Sequence, residues 1–332
     1  MKVKRTGDTA DEGVGEPGSQ VYAFLEHWSL TQAQVTLAAH RENTVYRVET
    51  SQGKCYALRL RRAGYRSDSE IISELDWIAM LAQEGMRVPV PISASDGSRI
   101  VCVGNYRADL VTWLDGKPMG VSGEPLELTD AVTTFRALGR ATARLHLLSD
   151  SWTLPVGFER PRWDKDALLG ESPLWGRFWD CAGIEASDVA LFTQFREAAS
   201  VALTNVHNSL DLGLIHADLV RENILLDRAD PSMVALIDFD DGVYGYRLFE
   251  IATALGKNVG DPQYPALREA LIDGYRELRS VDISALDLFL AIRAATYVGW
   301  SATRKGEPGG DARAERLARA ARVAISRWLK SS

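Results

Sequence analysis

The chain has 332 residues, 46% hydrophobic and 25% charged, a globular composition long enough for two domains or one two-lobed unit. A formal charge of −7 gives no reason to expect a nucleic-acid partner, and no apolar run approaches the roughly 18 residues that cross a bilayer. Three scattered cysteines and five histidines without ligand spacing argue against a disulfide framework or a zinc site, so a reducing, cytoplasmic setting with no membrane partner is expected.

The N-terminus is polar and glycine-rich, with no apolar stretch behind Lys2 and Lys4. A disordered tail over residues 1–19 is expected rather than a secretory signal. From Val35 the pattern turns strand-like: VTLAAH, then TVYRVET, a Ser51-Gln52-Gly53 turn and KCYALRL predict a hairpin. In SEIISELDWIAMLAQEG the apolar residues Ile71, Ile72, Leu75, Ile78, Ala79 and Leu81 have helical spacing, with Gly85 as the stop. The pieces RIVCVG and DLVTWL read as further strands, ending at Asp115-Gly116.

After Gly116 helices dominate. LTDAVTTFRALGRATARLHLLS is a long amphipathic pattern that Thr129 or Asp130 caps, and Asp188 to Asn208 forms another. Three short apolar pieces, LGLIH, NILL and VALIDF, are separated by loops. The remainder from Arg247 is helical and ends in the basic amphipathic AERLARAARVAISRWLK, read as a solvated helix face. The predicted organisation is therefore α+β: a sheet-rich N-lobe over 20–115 with one helix, and a larger, mainly helical C-lobe over 116–332.

The strongest chemical signal is His216-Ala217-Asp218, with Asn223 five residues on and Asp238-Phe239-Asp240 after that. Phosphoryl transfer from ATP needs one carboxylate to orient and deprotonate an attacking hydroxyl, and oxygen ligands to hold magnesium on the phosphates. The H-x-D-x4-N and D-F-x segments supply these parts, with strand-like NILL and VALI holding them in register. Asp218 is then the base, and Asn223 and Asp238 are ligands of Mg²⁺. The plainer alternative is that these residues are turn formers and a strand end, sites that Asp and Asn favour. His216 reads as a brace of the loop.

The pattern LIHADLVRENILL…ALIDFDDGVYGYRLFEIATAL resembles the aminoglycoside phosphotransferase and choline kinase superfamily. The resemblance runs from about Val35 to Ala254 and takes in ENTVYRV, SELDWIAML, VTWLDG and ARLH. It implies a protein-kinase-like fold and action mostly on small molecules. Within the superfamily the chain looks most like the branch with type II homoserine kinases, hydroxylysine kinases and the bacterial stress-response kinase. These motifs are specific for the superfamily and say little about the acceptor. Glu250 stands where the family has a helix-side Asp, and it is read as structural.

In protein kinases a V-A-I-K strand supplies a phosphate-binding lysine paired with a helix glutamate. The matching strand here reads Tyr56-Ala57-Leu58-Arg59. Alternation puts Ala57, the expected adenine contact, and Arg59 on one face. Glu74, expected on a different face of its helix from the apolar stripe, is the pairing partner. Arg for Lys exchanges a point charge for a planar fork; arginine outnumbers lysine 30 to 8 in the chain, and the resembled family tolerates the swap.

A G-x-G-x-x-G run at Gly13, Gly15 and Gly18 follows no strand and is a decoy. The phosphate-covering turn is expected at His40 to Thr44 instead. There Asn43 matches an Asn of the family and is suited to bond phosphate or backbone. Thr112-Trp113-Leu114 is the expected hinge, offering the backbone of Thr112 and Leu114 to adenine.

The acceptor is expected to be a small-molecule hydroxyl compound: an amino alcohol, an amino acid or an aminoglycoside-like molecule. Trp152, Trp163, Trp175 and Trp179, with Asp164, Asp166 and Asp180, would suit an ammonium-bearing alcohol, although tryptophans so spaced also serve as core. Asp240 is a further candidate for metal or loop bracing, and His146 reads as a packing residue. A protein Ser/Thr kinase ranks second, because no long activation loop or A-P-E segment follows Asp238. A nucleotide-binding pseudokinase ranks third, because Asp218, Asn223 and Asp238 are all intact.

Overall fold

The computed structural model describes residues 18–40, 43–181, 184–206, 209–230, 232–307 and 309–331. Gly13 and Gly15 of the decoy run, most of the expected tail and two residues of the expected phosphate turn fall outside these. Ser19, expected in the tail, instead opens helix α1 (Ser19–Glu26). Val21, Phe24 and Leu25 are buried at i, i+3 and i+4, and that apolar stripe orders the segment.

The chain divides into two compact units: the described residues up to Ala82 with Pro89–Leu114, and Gln83–Val88 with the residues from Asp115 onward. In the first, β1 (Gln34–His40), β2 (Thr44–Glu49) and β3 (Cys55–Arg61) form an antiparallel meander. Gly53, at φ +75°, makes the turn between β2 and β3. After α2 (Asp68–Gln83) come β4 (Pro91–Ile92), β5 (Val101–Val103) and β6 (Tyr106–Thr112). The sheet order is β1-β2-β3-β6-β4, with β5 also on β6. Period-two alternation sorts its faces: Val48, Leu58 and Leu110 join α1's Phe24 and Leu25 in one core. Ala57, Arg59 and Arg61 of β3 point to the opposite side.

The second unit begins with β7 (Lys117–Pro118) and α3 (Ala131–Ser151), which Asp130 caps by accepting from the Thr133 amide. It continues through β8 (Arg162–Trp163), α4 (Lys165–Leu169), α5 (Ala186–Val206) and β9 (Leu212–Ile215). Next come β10 (Ile224–Leu226), β11 (Val234–Leu236), β12 (Val243–Tyr246) and the helices α6 (Arg247–Gly256), α7 (Tyr264–Arg276), α8 (Leu286–Ala302) and α9 (Gly310–Ser331). Helices α3 and α7 approach so closely that a Cβ at Gly139 would sit 2.0 Å from the Leu271 carbonyl oxygen, and one at Gly274 1.9 Å from that of Arg136. Two small sheets, β11-β10-β7 and β8-β12-β9, carry the loops of the site. No helix among the described residues is long and apolar enough to cross a membrane.

Candidate active site

The β10–β11 hairpin sets the register of the site. Ile224 pairs with Leu236, which brings Asn223 opposite Ile237, and the Ile237 amide donates to the Asn223 carbonyl at 3.0 Å. Asn223 and Asp238 thus emerge side by side where the two strands end. The Asn223 side-chain amide donates to both the backbone oxygen and Oδ2 of Asp218, each at 2.9 Å. With its nitrogen committed, its Oδ1 is left as an oxygen donor.

Asp218 lies in a loop held from below. Glu250 of α6 is fully buried and accepts from the amides of His216 at 2.6 Å and Ala217 at 2.7 Å. Both its oxygens act as acceptors, the pattern of an ionised carboxylate, although burial raises its pKa. The His216 Nε2 lies 2.8 Å from the Ile237 carbonyl and so carries the proton, which leaves Nδ1 to accept from the Asp218 amide at 3.3 Å. Burial lowers the pKa of this imidazole, consistent with that neutral form. Ala217 and Asp238 hold φ +67°, the left-handed region that costs an ordinary side chain energy and persists only where surroundings impose it. Replacing Glu250 by Gln leaves one amide of this loop without an acceptor. Thermal unfolding is expected to show a loss of about 1–3 kcal/mol; an unchanged melting temperature would remove Glu250 from this role.

The Asp218 side chain is 27% exposed. Burial pushes its pKa up to about 6; Arg293 opposes the rise and Asp241 adds to it. Arg293 donates to Oδ1 from Nη2 at 3.1 Å. Arg160 was not foreseen from the sequence; it holds the Asp238 loop by donating to the Gly242 and Asp240 carbonyls, each at 2.6 Å. Asp240 is buried and Asp238 exposed. Arg293 and Lys257 also escaped sequence reading, because nothing in the local pattern of α8 or of the end of α6 marks them.

An amide oxygen at Asn223 beside an exposed carboxylate at Asp238 is the hard-oxygen set that suits a magnesium-like cation. Among the described residues no cluster of three His, Cys, Asp or Glu could hold a metal alone. Two protein ligands fit an ion that takes its remaining ligands from phosphates and water.

In the first unit Arg59 lies between Val45 and Asp109 in the central strand. Its Nε donates to Asp109 at 2.7 Å and its Nη1 to Glu74 at 2.9 Å. Arg61, two residues on and on the same face, repeats the pattern with Asp109 at 2.5 Å and Glu74 at 3.0 Å. Glu74 is 0% exposed and belongs to α2's buried stripe with Ile71, Leu75 and Ile78, while Ile72 is exposed. The expectation that it faces away from that stripe is thereby corrected: two guanidinium groups make the burial tolerable. Asn43 accepts from the Arg62 amide at 3.1 Å, and Ala57 is buried on the Arg59 face. Of the hinge donors, the Thr112 amide is spent on Val90 and that of Trp113 on Cys55. Leu114 makes no hydrogen bond among the described residues.

The tryptophans divide. Trp163 packs edge-on against Trp175 and Phe249. Trp179 is overlaid by Arg177 and Arg196, and Trp152 meets Phe158. Two of the three carboxylates expected beside them are engaged locally: Asp164 caps α4 and Asp180 pairs with Arg177. Asp164 and Asp180 are thus unavailable to an aromatic–carboxylate cage.

Residues 34–288 match the model of the phosphotransferase enzyme family, APH, and the chain belongs to that family. It is a phosphotransferase with an alcohol group as acceptor, acting on small-molecule hydroxyls. Among solved structures it is similar to a microcompartment-associated aminopropanol kinase, with a TM-score of 0.83 and 31% identity over 94% of this chain and 98% of that one. Among curated proteins it is similar to a homoserine kinase of Mesorhizobium japonicum, 27% identical over 81% of this chain and 78% of the relative. The amicoumacin kinase of Bacillus subtilis is 26% identical over 72% and 67%. The antiparallel-sheet N-terminal region and helical C-terminal region are those of the protein-kinase-like fold.

Proposed function

We propose that the protein is an ATP- and Mg²⁺-dependent kinase that moves the γ-phosphoryl group to the hydroxyl of an amino alcohol, amino acid or related small molecule. The observation that carries this reading is the Asp218–Asn223 pair beside Asp238, held by a buried Glu250. The similarity to aminopropanol and homoserine kinases supports the acceptor class.

Asp218, oriented by Asn223 on Oδ2 and Arg293 on Oδ1, accepts the hydroxyl proton. The hydroxyl oxygen forms a bond to the γ-phosphorus as the bond from that phosphorus to the bridging oxygen breaks, and the electron pair leaves with ADP. Asn223 Oδ1 and Asp238 would hold the magnesium, which neutralises charge building on the phosphates. Arg59, fixed by Glu74 and Asp109, offers phosphate the N–H bonds it does not spend on those carboxylates. Ala57, Asn43, Thr112 and Leu114 belong to the nucleotide side. Leu114 keeps an uncommitted amide for adenine, whereas the Thr112 amide is already spent on Val90.

An ADP-release screen over hydroxylated metabolites tests the reading, which fails if no hydroxyl compound stimulates release. Asp238→Ala removes a ligand of the metal–nucleotide complex. Nucleotide titrations are expected to lose their magnesium dependence in this variant; a wild-type response to magnesium would count against the assignment.

A further inference from the structure

We propose that Lys257 and Arg293 form an anion subsite beside Asp218 that takes a carboxylate of the acceptor, so that the acceptor is a hydroxy acid or hydroxy amino acid. The inference rests on the kinase reading and narrows its acceptor.

Arg293 is 5% exposed, and it stacks 3.9 Å from the Tyr297 ring centroid and 5.2 Å from that of Phe249. Its Nη2 is on Asp218, but its buried Nε meets no hydrogen-bond acceptor among the described residues. Native proteins rarely leave a buried guanidinium N–H without an acceptor, so this one, beside a catalytic carboxylate, points to a polar ligand. Lys257 follows α6, with its ammonium 3.4 Å from the same tyrosine ring centroid. Among the described residues no carboxylate lies within ion-pair distance of it. Burial first, then the Arg293 charge, draws its pKa down to about 7, with Asp218 opposing.

Asp218 is paired with Arg293, whereas Lys257 has no ion pair among the described residues and stands against the Tyr297 ring. Glu222, also in electrostatic reach of Lys257, already accepts from the amide and hydroxyl of Ser122. An ammonium entering here would meet two positive side chains, whereas a carboxylate would receive charge-assisted hydrogen bonds from both. This is the opposite polarity from the aromatic–carboxylate site that the tryptophan-rich stretch suggested.

An anion here has two sources: a carboxylate on the acceptor or the phosphoryl group in transit. Paired acceptors separate them. Steady-state kinetics on the full chain with ATP would compare serine with ethanolamine, threonine with isopropanolamine, and homoserine with aminopropanol. The wild type is expected to favour the carboxylate-bearing member of its best pair by about tenfold or more in kcat/KM. Lys257→Met is expected to erase that preference through the acceptor KM, leaving the KM for ATP unchanged. A wild-type preference for the decarboxylated member overturns the inference and leaves the kinase reading standing, whether or not the variant folds. An equal loss on both members with a raised KM for ATP also overturns it, assigning the cations to phosphate. Absence of phosphorylation on all six compounds overturns this inference, while the kinase reading stands or falls with the wider screen of hydroxyl compounds.

Discussion

Asp218→Asn is expected to lower kcat by about 10²–10⁴-fold, the range that a positioned general base supplies, with nucleotide affinity unchanged. The amide keeps the shape of the carboxylate and still faces Arg293, so the loop that Glu250 holds should retain its fold. It cannot take the hydroxyl proton. The loss should appear equally in kcat and kcat/KM, the pattern of an interaction made in the transition state. Retained turnover would take the base role away from Asp218; a nucleotide affinity that fell in parallel would mean that the substitution had disturbed the metal ligands instead.

Glu74→Ala is expected to produce the largest loss of stability in the first unit, about 3–5 kcal/mol. Arg59, Arg61, Glu74 and Asp109 form a buried box with two charges of each sign. Removing one carboxylate leaves an excess cation where Glu74 and Asp109 are both 0% exposed. Uncompensated buried charge, rather than the lost Coulomb attraction of one pair, is what makes such a change severe. Denaturant unfolding followed by the buried Trp77 on the same helix would report it as a lower midpoint with an unchanged slope. A loss no greater than that of an exposed ion pair, about 1 kcal/mol or less, would mean that the box relaxes or admits water.

Much of the site was legible because its parts are close in sequence. Asp218, Asn223 and Asp238 lie on one strand–loop–strand segment, and the antiparallel pairing of Ile224 with Leu236 brings them together without a distant element. The β2–β3 hairpin was legible for the same reason, with Gly53 marking its turn. What sequence reading missed depends on tertiary placement. Asp109 meets Arg59 from 50 residues away through the β3–β6 register, and it makes Arg59 half of a double ion pair. Glu74 looks like a surface glutamate on a helical wheel until the second arginine is counted; the repeat of Arg at 59 and 61 on one strand face was the available signal. Arg293 reaches Asp218 from 75 residues downstream, and Lys257 from beyond α6. Neither belongs to a spacing motif, and only the packing of α6 and its end against α8 reveals them. Aromatic spacing looks alike in a cage and in a core, so the sequence left both roles open for the tryptophans; Asp164 capping α4 and Asp180 pairing with Arg177 favour core.

The central claim is that a substrate hydroxyl attacks the γ-phosphorus of ATP with Asp218 as base. The direct measurement uses an acceptor whose hydroxyl carries heavy oxygen, with phosphorus NMR and mass spectrometry of the product. The account predicts one phosphomonoester per ADP released, with the heavy oxygen retained in the carbon–oxygen–phosphorus bridge, and no such product from Asp218→Asn under the same conditions. Inorganic phosphate in place of the ester, or an ester that has lost the label, would contradict it.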